Sequence, residues 1–180
     1  MRYPLVYGGL SGLIVVTVLT LTLALDLPRH YQSLWFGYLV MLTALSLIFV
    51  GVKRYRDVEC GGVIRFGRAF LLGLGMAAVA GLAYVLVWEA YLAVSGYDFM
   101  ADYSAGILEG MREDGAQAAA IEAKAAELRE LSVMYRNALF RMPVTFVEIF
   151  PVGLLVALVS AALLRNPRLL PPVERRPQRA

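Results

Sequence analysis

At 180 residues the chain has room for one domain of ordinary size, yet 59% of it is apolar, above the ~45–50% of a water-soluble globule. The single cysteine, Cys60, excludes an internal disulfide and a multi-cysteine metal site, and the single histidine, His30, argues against a histidine-built metal or catalytic centre. The formal net charge of +3 is modest, and the apolar surplus lies in long uninterrupted runs, so the expected solvent is a bilayer.

The first run, 5–25, is uncharged and long enough to cross ~30 Å of hydrocarbon at ~1.5 Å per residue. A cleaved signal peptide is the competing reading, because Arg2 precedes the run. The run is longer than a signal core and no A-x-A site follows before Asp26, so a retained helix is expected. Gly8 and Gly12, with Ser11 nearby, form a small-residue face for close helix approach. A polar turn, 26–33, holds Pro28 and His30 and leads into the second run, 34–52. That run opens with Trp35, Phe36 and Tyr38, residues suited to a membrane interface. So short a turn predicts an antiparallel pair.

Between 53 and 68 the chain reads KRYRDVECGGVIRFGR, with Lys53, Arg54, Arg56, Arg65 and Arg68 against Asp57 and Glu59. Gly61 and Gly62 supply the reversal. Short loops dense in Lys and Arg stay on the cytoplasmic side, so these five residues are expected to form a cytoplasmic anchor facing anionic headgroups. Tyr55 with Arg54 and Arg56 also suits a phosphate, although anchoring explains the group more simply.

The third run, 69–94, repeats Ala69, Gly73, Ala77 and Gly81 at four-residue spacing, again a close-packing face. VWEAY near its far end places Trp88 and Tyr91 in an aromatic belt, with Glu89 between them. The only long hydrophilic segment follows, acidic on balance, with eight Asp and Glu against five Lys and Arg over 95–141. Asp98 suits a helix cap. Phe99, Tyr103, Ile107 and Met111 mark one amphipathic helix, and after Gly115 the residues Ile121, Ala125, Leu128, Leu131 and Tyr135 mark a second. They predict a helical hairpin over 98–136. The last run, 142–164, contains Glu148 and Pro151, the latter a kink or a freed carbonyl. A tail with Arg165, Arg168, Arg175, Arg176 and Arg179 is expected to be cytoplasmic, and disordered from 167 to 180.

These readings converge on an all-α fold: an integral membrane four-helix bundle over 1–166, both termini inside, with an extracytoplasmic amphipathic helical hairpin between the third and fourth spans. IFVGVKRYRDVECGGVIRFGRAF (48–70), the WEAY around Glu89, the acidic helix pair and LFRMPVTFVEIFPVGLLVALVSAALL (139–164) together resemble a bacterial inner-membrane family, domain of unknown function 4199. The similarity spans nearly the whole chain up to Arg165. The resemblance implies a multi-pass bacterial membrane protein, and it brings no activity, cofactor or assigned residue; the cytoplasmic placing of both termini rests on the charge and aromatic cues.

Chemistry concentrates on two carboxylates inside spans, Glu89 and Glu148, each costly in hydrocarbon unless protonated, paired or beside water. Glu89 lines up with Leu82, Ala78 and Gly75, toward a neighbouring helix. Glu148 shares a face with Thr145 and Arg141. Either a proton or cation site opening outward, or part of a small substrate cavity, forms there, or each Glu is structurally paired to Tyr84, Tyr91, Thr145 or a snorkelling Arg141. No Walker loop, GxSxG, HExxH or paired CxxC occurs, and basic residues flanking spans disfavour nucleic acid. The expected function is that of a non-enzymatic accessory or scaffold protein without cofactor or metal. It would meet anionic lipid inside, and a membrane protein, a periplasmic protein or a second copy through its hairpin or membrane faces. The alternative is a small carboxylate-centred transporter, or a proton- or cation-coupled membrane protein, using Glu89 and Glu148. A membrane enzyme acting with both carboxylates on a lipid-linked substrate is a third class without a motif.

Overall fold

A computed structural model describes residues 2–25, 34–96 and 98–170, and their regular structure is helical throughout. A π-helical turn, Pro4–Gly8, leads into α1 (Gly9–Ala24). The rest are α2 (Leu34–Glu59), α3 (Phe66–Ser95), α4 (Phe99–Glu113), α5 (Ala118–Tyr135) and α6 (Ala138–Leu164). Four stretches, Pro4–Thr22, Trp35–Glu59, Phe66–Ser95 and Ala138–Leu164, are long and apolar enough to cross a membrane. The polar turn expected at 26–33 lies outside the described residues.

The helix ends differ from the expected ones for local reasons. Helix α2 continues through Lys53–Glu59, where a loop was expected, and Lys53 Nζ pairs with Asp57 Oδ2 at 2.6 Å one turn along. It stops at the glycines, with φ of +62° at Gly61 and +88° at Gly62. The Gly62 N–H donates to the Arg56 carbonyl at 2.9 Å, a helix end that needs left-handed backbone. The reversal is therefore confined to 60–65, and α3 begins at Phe66 rather than 69. Helix α6 begins at Ala138 rather than 142 because Asn137 caps it, its Oδ1 accepting from the Leu139 N–H at 2.9 Å. It passes Pro143 and Pro151 without interruption.

The chain divides into two compact units, Met1–Val87 with Phe146–Ala180, and Trp88–Thr145. In the first, Gly8 and Gly12 lie directly on the α3 backbone, at the carbonyls of Met76 and Ala80. Any side chain there would meet main chain. A Cβ on Gly73 would stand 2.9 Å from the Ala157 Cβ, one on Gly81 2.6 Å from Phe146 Cε2, and one on Gly153 2.8 Å from the Ala77 Cβ. Close backbone approach of this kind is how apolar helices hold together where lipid is as apolar as leucine. Val15, Leu45, Ile48, Met76 and Leu164 are fully buried, while Leu5, Leu39, Leu71, Leu86 and Leu155 face outward. A broad apolar exterior suits a membrane and not water.

In the second unit α4 packs against α5, burying Met100 and Leu128. Asp98 caps α4, its Oδ1 accepting from the Ala101 N–H at 3.3 Å. The apolar face of α4 is not quite the expected one: Met100 is buried, whereas Tyr103 is 44% exposed. A strict four-residue repeat overshoots a turn of ~3.6 residues by about 40° per step, so the stripe drifts off the contact.

Candidate functional site

Glu89 sits on α3, one residue after Trp88, in the second unit. The early start of α6 places Arg141 in that helix's first turn rather than in a loop. Arg141 Nε donates to Glu89 Oε1 at 2.6 Å, and its Nη2 donates to Oε2, so the guanidinium grips the carboxylate with two parallel bonds. Its Nη1 donates to the Tyr135 carbonyl at 3.0 Å, and its carbon lies 5.6 Å from the Tyr135 ring centroid. The side chains of Arg141 and Glu89 are only 15% and 16% exposed. Paired in this fork geometry, neither charge is left to face an apolar medium alone.

An aromatic cluster braces the pair. The Trp88 indole N–H donates to the Tyr135 hydroxyl at 3.1 Å, and the Trp88 ring meets Phe99 edge-on at 5.3 Å. Phe99 lies 5.8 Å from Tyr135 and 5.6 Å from Tyr103. Beside the pair is a pocket of about 360 Å³, with Glu89, Asp98, Ser132, Tyr135, Arg136 and Arg141 among its lining residues. Asp98, Ser132, Tyr135 and Arg136 are not among the residues that sequence reasoning selected as a site. Only the Asp98 cap and the place of Tyr135 on the apolar face of the second amphipathic helix hinted at them.

The other carboxylate within a candidate span, Glu148, belongs to the first unit and accepts from the Tyr84 hydroxyl. Its side chain is exposed on α6 and makes no ion pair among the described residues, whereas Tyr84 is buried. Thr145, expected on the Glu148 face, is buried in the second unit. Each glutamate thus has its own partner. No group of three or more His, Cys, Asp or Glu that could hold a metal occurs among the described residues.

The basic stretch is not uniform. Arg54, Arg65 and Arg68 are exposed and Lys53 is half-buried, but Arg56 is fully buried. Arg56 donates to Asp57 Oδ1 at 2.7 Å and to the carbonyls of Leu169 and Leu170 at 3.2 and 2.5 Å. The helical continuation of α2 turns this residue away from solvent, onto carbonyls beyond α6 that have no helical partner. The last described residues, to 170, are therefore held by Arg56, past the expected start of the tail at 167; residues 171–180 lie outside the description. Arg68 donates to the Tyr55 hydroxyl at 2.7 Å and lies over its ring. Tyr3 meets Tyr55 edge-on and donates to Glu59 Oε1 at 3.1 Å. Partial burial, and then the Glu59 carboxylate, push the Tyr3 phenol above its ordinary range.

No curated protein and no solved structure matches the chain. One family model does, described as a protein of unknown function (DUF4199), and it covers residues 6–166. The stretches that resemble this family, 48–70 and 139–164, both fall inside the match, and the chain belongs to that family.

Proposed function

We propose that the chain is a non-enzymatic accessory or scaffold protein of the bacterial inner (plasma) membrane. It would cross four times with both termini cytoplasmic and dock a partner through the α4–α5 pair. The observation that carries this reading is the closed Glu89–Arg141 clasp. A carboxylate gripped by a guanidinium in two places, with Tyr135 completing the cation's bonds, is built to hold α3 to α6 rather than to load and release a proton. Docking draws support from apolar side chains left outward on the second unit, Tyr103 at 44% and Val133 at 70% exposed, since exposed apolar groups are where partners bind. The exposed Arg54, Arg65 and Arg68 suit the anionic cytoplasmic leaflet.

The test is photocrosslinking in cells from probes at positions 103 and 133, with the exposed Ala119 as control. A discrete adduct from 103 or 133, absent from 119, is expected. No adduct from either position in the intact membrane removes the docking role.

A second reading, a carboxylate-centred proton- or cation-coupled transporter, rests on Glu148, which meets a hydroxyl and no described cation. Vesicles reconstituted with a pH-sensitive dye separate the two. Flux abolished by Glu148→Gln favours transport, and its absence from wild type favours the accessory role.

A further inference from the structure

The pocket beside the clasp has the chemistry of a receptor for a zwitterion. Its volume, about 360 Å³, falls in the ~300–1,000 Å³ range of small-molecule sites. Two carboxylates, Glu89 and Asp98, and two guanidinium groups, Arg136 and Arg141, line it, so its charges balance. Glu89 and Arg141 neutralise each other. Asp98 and Arg136 remain, and both are exposed. Asp98 uses Oδ1 to cap α4, which leaves acceptor capacity on the carboxylate. Arg136 has no ion pair among the described residues. Phe99, Met100 and Leu92 supply apolar wall to the same cavity. The pocket lies at the C-terminal end of α3, whose last turns hold Trp88 and Tyr91, aromatic residues that favour headgroup depth. A ligand matching these features carries one cation and one anion close together on an apolar body.

We propose that this pocket binds the phosphate–ammonium headgroup of a phosphoethanolamine-class phospholipid, with the ammonium on Asp98 and the phosphate on Arg136. A primary ammonium offers three N–H donors to the Asp98 carboxylate, whereas a trimethylated one offers none. An anionic headgroup without a cation leaves Asp98 unpaired and repelled. The phosphate meets a planar fork of donors in Arg136. Lipid capture is independent of the docking role, because its readout is a bound lipid and not a partner protein.

The experiment uses the purified full-length chain in detergent with Trp35→Phe, which leaves Trp88 as the sole tryptophan. Trp88 donates to the hydroxyl of the pocket residue Tyr135 and so reports on the site. Short-chain phosphatidylethanolamine, phosphatidylcholine and phosphatidylglycerol are titrated separately, alongside free phosphoethanolamine, and native mass spectrometry counts retained lipid. Saturable binding of phosphatidylethanolamine is expected, at least about tenfold tighter than the other two lipids and than the free headgroup. Asp98→Asn, which keeps a cap-competent side chain, and Arg136→Gln should each weaken it by about tenfold or more. Tightest binding of phosphatidylglycerol, affinity unchanged in both variants, or no retained phosphatidylethanolamine by either readout overturns the proposal. Equal affinity for free phosphoethanolamine overturns the lipid assignment in favour of the soluble zwitterion.

Discussion

Glu89 and Arg141 are 52 residues apart and meet in two parallel hydrogen bonds. Removing one partner is costly, because it strands the other charge among Trp88, Tyr135 and the span. Arg141→Gln should destabilise the protein by about 3 kcal/mol, the lower end for a broken buried pair given the pair's partial exposure. Glu89→Gln combined with Arg141→Gln should recover most of that loss, as read from thermal unfolding in detergent. A double mutant no better than Arg141→Gln alone would show that the pair does not hold the two helices. Tyr3 makes a prediction of definite sign. Its folded-state pKa is raised above the ordinary 10.0, so its contribution is fully present below about pH 10 and fades as pH climbs through the raised value. Tyr3→Phe should flatten the stability decline above pH 10, measured as melting temperature between about pH 8 and 11. An identical decline in both proteins refutes the coupling.

At the scale of the helix, two glycines near the start of the first span give a matched comparison. A side chain on Gly12 would run into the Ala80 main chain, whereas nothing lies within 4 Å of a Cβ on Gly9. Gly12→Leu should separate α1 from α3 and cost about 1–3 kcal/mol as an overpacked contact. Gly9→Ala should be neutral or slightly stabilising. Equal effects on detergent-resistant folding would mean that the α1–α3 contact is not what holds the first helix. The same scale explains the displaced boundaries. Hydropathy ends the second run at 52, because Lys53 and Arg54 are polar. The backbone instead follows hydrogen bonding, and the Lys53–Asp57 pair keeps α2 helical as far as the glycines. Asn137 does the converse for α6, starting it ahead of Arg141, where charge had ended the apolar run.

Over the whole molecule, the testable consequence is orientation. Cys60, the only cysteine, lies in the reversal between α2 and α3, and Ala119 lies exposed on α5. In intact spheroplasts a membrane-impermeant maleimide should leave Cys60 unlabelled until the membrane is permeabilised. Cys60→Ser with Ala119→Cys should label at once. The reverse pattern would invert the topology and move the zwitterion pocket to the cytoplasmic side.

Four apolar runs, the basic stretch near 53–68, the small residues at Gly8, Gly12, Gly73 and Gly81, and the family were all legible in the chain itself. Hydropathy, charge density and short spacings are sums over neighbours in sequence, so they survive without coordinates. Arg141's choice of Glu89 was legible only as one alternative among several. It depends on where Asn137 starts α6 and on the rotation that follows, since one residue of shift turns a side chain by about 100°. The burial of Arg56 on the carbonyls of Leu169 and Leu170, against an expected exposed anchor, was decided the same way. So was the convergence of Asp98, Ser132 and Arg136 on one pocket, because the start of α4, the last turn of α5 and the residue after it become neighbours only when the helices pack.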